Sequence, residues 1–93
     1  MSINRYNPRR DANEAEIIDV FKSKGISVER LNTPLDLLLG YNKRTYLVEV
    51  KIPKNRLNKK QSKFVEGWGG QYFICCNVDQ AKRFADEIIS GKT

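Results

Sequence analysis

The sequence predicts an α/β domain with the element order αβββαβα, in which helices flank one small mixed sheet. Three observations support this fold class. Residues 35–52 read as an apolar run, a polar break and a second apolar run, which is typical of a β-hairpin. Residues 71–76 form a nearly continuous apolar run, which is typical of a strand. Residues 11–24 and 59–68 have the apolar spacing of helices.

The first helix and the first strand are predicted before the hairpin. Residues 11–24 form the helix, because their apolar side chains recur at helical spacing and Gly25 is a natural stop. Residues 26–31 alternate between apolar and polar side chains, so they are predicted to form a strand. Three residues that favour turns end this strand: Asn32, Thr33 and Pro34.

The remaining elements start with the hairpin, whose strands are predicted at residues 35–40 and 45–52. A helix follows over residues 59–68. The apolar run at 71–76 predicts a strand that is covered on both faces. A last helix runs from about 78 to 89. Each of the last two helices is preceded by a possible capping box, formed by Asn58 with Gln61 and by Asn77 with Gln80.

Two acidic residues are predicted to face each other across the hairpin. With Asn42 and Lys43 as the two loop residues, paired residue numbers sum to 85, which sets Asp36 opposite Glu49. Facing carboxylates repel each other, and a divalent cation such as Mg²⁺ would compensate for this because it takes oxygen ligands. Lys51 adds a positive charge on the same face. Alternatively, Asp36 lies in water at the strand end and Glu49 pairs with Lys51.

Two further polar side chains are predicted on the apolar faces of helices. At about 100° per residue, Glu14 lies about 40° from the mean direction of the apolar stripe, and Glu16 lies about 120° from it. A carboxylate on a packing face needs a partner or a metal, although Glu14 could also serve only to stabilise the helix N-terminus. Gln61 shares the apolar stripe of its own helix. Its alternative role is to complete the capping box with Asn58.

The positive charge of the chain is concentrated in two places. The 93 residues carry a net charge of +6 and are expected to form one domain over 11–93, preceded by a basic arm at 1–10. The window 50–65 contains six cations and no acid: Lys51, Lys54, Arg56, Lys59, Lys60 and Lys63. The arm adds Arg5, Arg9 and Arg10. Such concentration suggests a polyanionic partner, the alternative being an ordinary solvated surface.

Several classes of protein are excluded or disfavoured by composition. No apolar run approaches the roughly 20 residues of a membrane span, and the first residues lack the apolar stretch of a signal peptide. Cys75 and Cys76 are adjacent, so they are expected to be reduced thiols in a core strand of a cytoplasmic protein. The chain has no histidine, which excludes histidine-dependent catalysis and His-ligated zinc.

Four motifs occur in an order and spacing that resemble a known superfamily. They are RRDANEAEI (9–17), PLDLLLGY (34–41), LVEVK (47–51) and LNKKQSKF (57–64). Pro-x-Asp followed by Glu-Val-Lys, with a helical glutamate before and a helical glutamine after, resembles the PD-(D/E)XK nucleases. In particular, it is similar to the small standalone VRR-NUC-type nucleases often found in phage genomes. Leu35 separates the proline from the aspartate, and the V-R-R triplet is absent.

The resemblance implies a restriction-endonuclease-like fold and a Mg²⁺- or Mn²⁺-dependent deoxyribonuclease. Asp36, Glu49 and the Val50 carbonyl match the metal ligands of the family. Glu14 matches the helical glutamate that holds the metal directly or through water. Lys51 matches the lysine that orients the attacking water and helps to deprotonate it. Gln61 matches the polar helical residue near the site.

The resemblance also implies partners and a location. The expected substrate is duplex or branched DNA, such as a flap or a Holliday junction, in the host cytoplasm if a phage encodes the protein. DNA phosphates would contact seven basic residues: Arg9, Arg10, Lys54, Arg56, Lys59, Lys60 and Lys63. A homodimer is expected, with candidate surfaces at Trp68 with Tyr72 and at Phe84, Ile88 and Ile89. The competing interpretation is a non-catalytic basic module that binds nucleic acid.

Overall fold

A computed structural model describes residues 13–51 and 57–93 of the chain. Within these ranges, three helices and four strands follow one another in the predicted order αβββαβα. The helices are α1 (Glu14–Ser23), α2 (Lys59–Gly67) and α3 (Val78–Ile89). The strands are β1 (Ser27–Arg30), β2 (Leu37–Tyr41), β3 (Arg44–Val50) and β4 (Gln71–Cys75). No helix in the described ranges is long and apolar enough to cross a membrane.

The four strands form one mixed sheet in the order β1-β2-β3-β4. The strands β1, β2 and β3 are antiparallel neighbours, and β4 lies parallel to β3. A parallel pair cannot be joined by a tight turn, and α2 is the helix in the connection between these two strands. The predicted mixed sheet with flanking helices is therefore confirmed.

The register of the β2–β3 hairpin is set by a two-residue loop. Asn42 and Lys43 have positive φ angles of 52° and 65°, which is the backbone conformation of a type I′ turn. Tyr41 pairs with Arg44, and Leu37 pairs with Val48. The predicted register, in which paired residue numbers sum to 85, is therefore correct.

The end of α1 confirms the predicted stop at Gly25. The glycine has a φ of +82°, which L-residues with a side chain rarely adopt. Its amide donates to the Lys22 carbonyl at 3.0 Å, and the next amide, of Ile26, donates to the Phe21 carbonyl at 3.1 Å. These two bonds form a Schellman motif, which satisfies carbonyls that the helix end would otherwise leave without a partner.

The hydrophobic core lies between one face of the sheet and the helices α1 and α3, which pack against each other. Alternate residues of β2, β3 and β4 point into it, as the period of a strand requires. The strand residues of this core are Leu37, Leu39, Tyr46, Val48, Val50 and Cys75. Its helix residues are Ile17, Ile18, Phe21, Ala81, Ala85 and Ile88.

The opposite face of the sheet, called the second face below, carries Leu47, Glu49, Tyr72 and Ile74. The prediction that β4 is covered on both sides is wrong, because Tyr72 and Ile74 are 38% and 39% exposed. The physical reason is that β4 is an edge strand. In addition, none of the described residues of α2 is buried, so this helix covers the second face incompletely.

The last helix contributes apolar side chains to the core. Ile88 is 2% exposed, and the Phe84 ring stacks on Phe73 with 4.4 Å between the ring centroids. Of the three residues at the candidate dimer surface on α3, Ile89 alone is an exposed apolar side chain, and the homodimer stays a prediction. Cys75 and Cys76 are free thiols as expected, and burial raises the pKa of the Cys75 thiol to about 11.

Candidate functional site

Asp36 lies one residue before β2, and a hydrogen bond joins its side chain to the last residue of β3. Its Oδ2 accepts a hydrogen bond from the Val50 amide at 2.9 Å. Since the N–H and C=O of one strand residue point to the same side, the Val50 carbonyl also faces the side on which Asp36 lies. The aspartate is half-buried rather than free in water at the strand end. The structure thus brings together two of the predicted metal ligands.

Glu49 is the most deeply buried acid of the site. It is 2% exposed and lies on the second face, between the core residues Val48 and Val50. The pKa of Glu49 is raised to about 7, mainly by burial and then by the charge of Asp36, while Lys51 and Gln61 partly oppose both effects. The predicted repulsion between the two carboxylates is therefore present, although desolvation is the larger cause of the shift.

The two oxygens of the Glu49 carboxylate have different surroundings. Oε2 accepts a hydrogen bond from Gln61 Nε2 at 2.7 Å, and Lys51 Nζ lies 3.4 Å from the same atom. Oε1 is buried and has no hydrogen-bond partner among the described residues. A buried carboxylate oxygen without a partner is costly and rare in folded proteins. It is therefore the position at which a ligand would relieve an unfavourable contact.

The oxygens that converge here fit a hard divalent cation. The Asp36 carboxylate, the unpartnered Glu49 Oε1 and the Val50 carbonyl are all oxygen donors, which Mg²⁺ and Mn²⁺ prefer. Among the described residues, no group of three or more His, Cys, Asp or Glu side chains could hold a metal. The remaining coordination positions would therefore go to water and phosphate oxygens, as is common for Mg²⁺.

Gln61 has both of the roles that the sequence left as alternatives. Its amide N–H donates to Asn58 Oδ1 at 2.8 Å, and its Oε1 accepts from the Asn58 amide at 3.0 Å, which completes the capping box of α2. Because Oε1 is occupied in this way, Nε2 is the end that reaches Glu49. The start of α2 is thus attached to the site through one side chain.

Comparisons of the chain with protein-family models, with curated proteins and with solved structures find no match. The proposed function below therefore depends on two supports. One is the arrangement of Asp36, Glu49, Lys51 and Gln61 in the structure. The other is the resemblance of the four sequence motifs, three of which contribute side chains to this arrangement.

Glu14 occupies the packing face of α1, as its helical phase predicts. It is 3% exposed, whereas Glu16 is exposed. Its Oε2 lies 3.2 Å from Arg30 Nε of β1. Sequence reasoning missed Arg30, because a charged residue at the end of a short strand is ordinary and carries no local signal. A direct role for Glu14 at the metal stays a prediction.

The basic residues are described only in part. Lys59, Lys60 and Lys63 are exposed on α2, beside the glutamine that contacts Glu49. Four other predicted contacts with DNA lie outside the described residues, together with the arm at 1–10: Arg9, Arg10, Lys54 and Arg56. The described lysines form a positively charged surface next to the candidate metal ligands.

A cavity adjoins the site between the β1–β2 connection and the start of α2. It has a volume of about 260 Å³ and is lined by Asn32, Thr33, Pro34, Asn58, Lys60 and Gln61. Sequence reasoning assigned the first three of these residues to a turn and used only Pro34 further, as the proline of the Pro-x-Asp motif. The signal that could have found them is their position, because they lie two to four residues before Asp36.

Proposed function

We propose that this protein is a Mg²⁺- or Mn²⁺-dependent deoxyribonuclease of the restriction-endonuclease-like type. The observation that carries the proposal is the Glu49 carboxylate, which is buried near Asp36 and has one oxygen without a partner in the part of the chain that the structure describes. A buried acceptor without a partner is costly, so a ligand that binds Oε1 would be favoured at this point. An oxygen-ligated cation at this point would satisfy Oε1 and neutralise the repulsion between the two acids.

A bound Mg²⁺ or Mn²⁺ would polarise the phosphoryl oxygen and supply hydroxide near neutral pH. Asp36 and Glu49 would hold it, with the Val50 carbonyl as a third oxygen. The Val50 amide anchors Asp36, and the side chain of Gln61 anchors Glu49. Both carboxylates are therefore oriented by hydrogen bonds before any ligand binds, which reduces the cost of reorganisation.

Lys51 is placed to act on the substrate from the same face as Glu49. Its side chain is 19% exposed, so the ammonium group is partly desolvated and still accessible. We propose that it orients the attacking water and offsets the negative charge that develops on the phosphate. The exposed lysines of α2 would contact the neighbouring phosphates and increase affinity in a manner that depends on salt.

The second candidate function is a non-catalytic module that binds nucleic acid. The observation that favours it is the exposed row of Lys59, Lys60 and Lys63 on α2. Under this interpretation, loss of these lysines weakens binding and loss of Asp36 has no effect. It does not account for the unpartnered Glu49 Oε1, which serves no purpose in a binding surface made of cations. We therefore place the nuclease first.

A panel of labelled oligonucleotides tests the proposal. Duplex, single-stranded, flap and four-way-junction DNA would each be incubated with Mg²⁺, with Mn²⁺ and with EDTA. We expect cleavage of at least one branched or flap substrate with either metal and none in EDTA. Tight binding of these substrates without cleavage under any of the conditions would instead support the non-catalytic module. Cutting both strands symmetrically would require two sites, for which we propose a homodimer.

Two neighbouring glutamates of α1 should respond differently to the same substitution. We expect Glu14→Gln to lower the cleavage rate by about 10- to 100-fold, because residues that support metal ligands have effects of this size. Glu16→Gln is the matched control and should leave the rate unchanged, since its side chain is exposed. The rates would be measured on the substrate that is cut best in the panel. A larger loss in Glu16→Gln would contradict the placement of Glu14.

A further inference from the structure

Two exposed aromatic side chains lie near the start of β4, and one of them, Tyr72, is on the second face of the sheet. Trp68 is 39% exposed and Tyr72 is 38% exposed. Holding an exposed side chain in one position costs conformational entropy. Trp68 is nevertheless restrained by three contacts. Its Nε1 donates to the Gln71 carbonyl at 3.2 Å, and its ring stacks on Phe64 with 5.2 Å between the centroids. Trp68 is thus an ordered, solvent-facing aromatic.

The third restraint on Trp68 comes from a glycine. A Cβ atom added to Gly70 would lie 2.7 Å from the indole ring, so the ring packs directly on this backbone. A side chain at this position would displace the indole. The absence of a Cβ at Gly70 therefore allows the indole to lie close to the start of β4, where 39% of the tryptophan remains exposed.

The register connects these aromatics to the candidate metal ligands. Ile74 pairs with Glu49, and Tyr72 pairs with Leu47, so Tyr72 lies two residues along the strands from Glu49 and on the same face. Two residues of a strand span about 7 Å, which is comparable to the spacing of phosphates in an extended nucleic-acid strand. Tyr72 is thus about one nucleotide from the site.

Helix α2 makes a second connection between the site and Trp68. Lys60, Phe64 and Trp68 are spaced by four residues, so they follow one another in a single row along the helix surface. The neighbour of Lys60 is Gln61, whose side chain contacts Glu49. The row thus has a cation next to the site and an aromatic ring at its far end. Proteins use these two kinds of group to bind single-stranded nucleic acid.

We propose that Trp68 and Tyr72 form a stacking platform for unpaired nucleotides next to the phosphate held at Asp36 and Glu49. The aromatic rings would stack on the bases, and Lys60 and Lys63 would neutralise the accompanying phosphates. The platform would select DNA in which bases next to the cleaved bond are unpaired, such as a flap or the arm of a fork. The location of that bond rests on the proposed function.

The fluorescence of Trp68 tests the platform directly, because the chain contains a single tryptophan. Oligothymidylate and a blunt duplex with the same number of phosphates would be titrated into the protein in EDTA, where no cleavage occurs. We expect oligothymidylate to quench the fluorescence and the duplex to leave it nearly unchanged, since paired bases do not offer a free face. Unchanged fluorescence at saturating oligothymidylate would overturn the proposal.

Variants separate stacking from charge. Trp68→Ala should weaken binding of labelled oligothymidylate by about 5- to 100-fold, which is the effect of losing one stacked base, and should not change duplex binding. Trp68→Phe should retain most of the affinity, because a phenyl ring still stacks, and it also serves if Trp68→Ala fails to fold. Ile89→Ala removes an equally exposed apolar side chain from α3 and should have no effect. Wild-type affinity in both Trp68 variants would overturn the platform.

Two further measurements keep this inference apart from the proposed function. Asp36→Asn should keep the quenching by oligothymidylate while it loses cleavage. If wild type cleaves none of the DNA substrates but its fluorescence is still quenched, the platform stands and the nuclease proposal fails. Light scattering tests whether a second copy of the chain, rather than a nucleic acid, binds this surface. If wild type is a dimer that Trp68→Ala dissociates while affinity for oligothymidylate stays the same, the surface is an interface between copies and the platform is overturned.

Discussion

Asp36→Asn should reduce DNA cleavage by at least about 10²- to 10³-fold, the loss expected when a group that stabilises charge at a reacting phosphate is removed. The asparagine has the same size, and its Oδ1 can still accept the hydrogen bond that the Val50 amide donates. The substitution therefore removes one negative charge and one strong oxygen ligand while it preserves the local backbone. Single-turnover cleavage of the best substrate, with excess Mg²⁺, measures the effect.

Stability measurements provide the control for this variant. Without metal, Asp36→Asn should melt no lower than wild type, because it removes the charge that repels Glu49. Asp19→Asn is the matched control for charge, since Asp19 is an exposed acid on α1, and its cleavage rate should equal that of wild type. Undiminished cleavage by a folded Asp36→Asn protein would refute the assignment of this residue and leave the non-catalytic module as the better interpretation.

Glu49→Gln should stabilise the metal-free protein at alkaline pH and abolish its response to metal. The pKa of Glu49 is raised from 4.5 to about 7 in the folded state, mainly by burial. Between these two values the folded protein binds more protons than the unfolded chain, so the free energy of unfolding falls as the pH rises. At about 1.4 kcal/mol per pKa unit, the neutral glutamine should be more stable than wild type by about 1 to 3 kcal/mol at pH 8.

The pH and metal dependence distinguish this effect from a general gain in packing. At pH 4 the carboxylate is protonated in both states, so Glu49→Gln and wild type should have nearly equal free energies of unfolding in urea. At pH 8, Mg²⁺ should raise the melting temperature of wild type and not that of the variant. Glu66→Gln, an exposed acid on α2, is the control and should behave as wild type. A gain in stability that is equal at both pH values would contradict the ionised Glu49.

Local sequence determined several features of the fold. The loop formed by Asn42 and Lys43 sets the hairpin register, since a two-residue turn allows only one pairing of its flanking strands. Gly25 ends α1, and Asn58 with Gln61 begins α2. The helical phase alone distinguished the buried Glu14 from the exposed Glu16. Each of these results depends on residues within a few positions of one another, whose geometry the backbone dictates.

Only the tertiary structure decided which of these residues meet and what remains exposed. The hydrogen bond between Gln61 and Glu49 joins α2 to β3, and no local sequence pattern specifies this contact. Tyr72 is exposed because β4 is an edge strand, although its apolar run predicted cover on both sides. The pairing of Glu14 with Arg30 likewise joins two elements through their packing. Solvation and contacts of this kind depend on how distant segments pack. Among the described residues, this packing leaves Oε1 of Glu49 buried without a partner, and the proposed metal site depends on that oxygen.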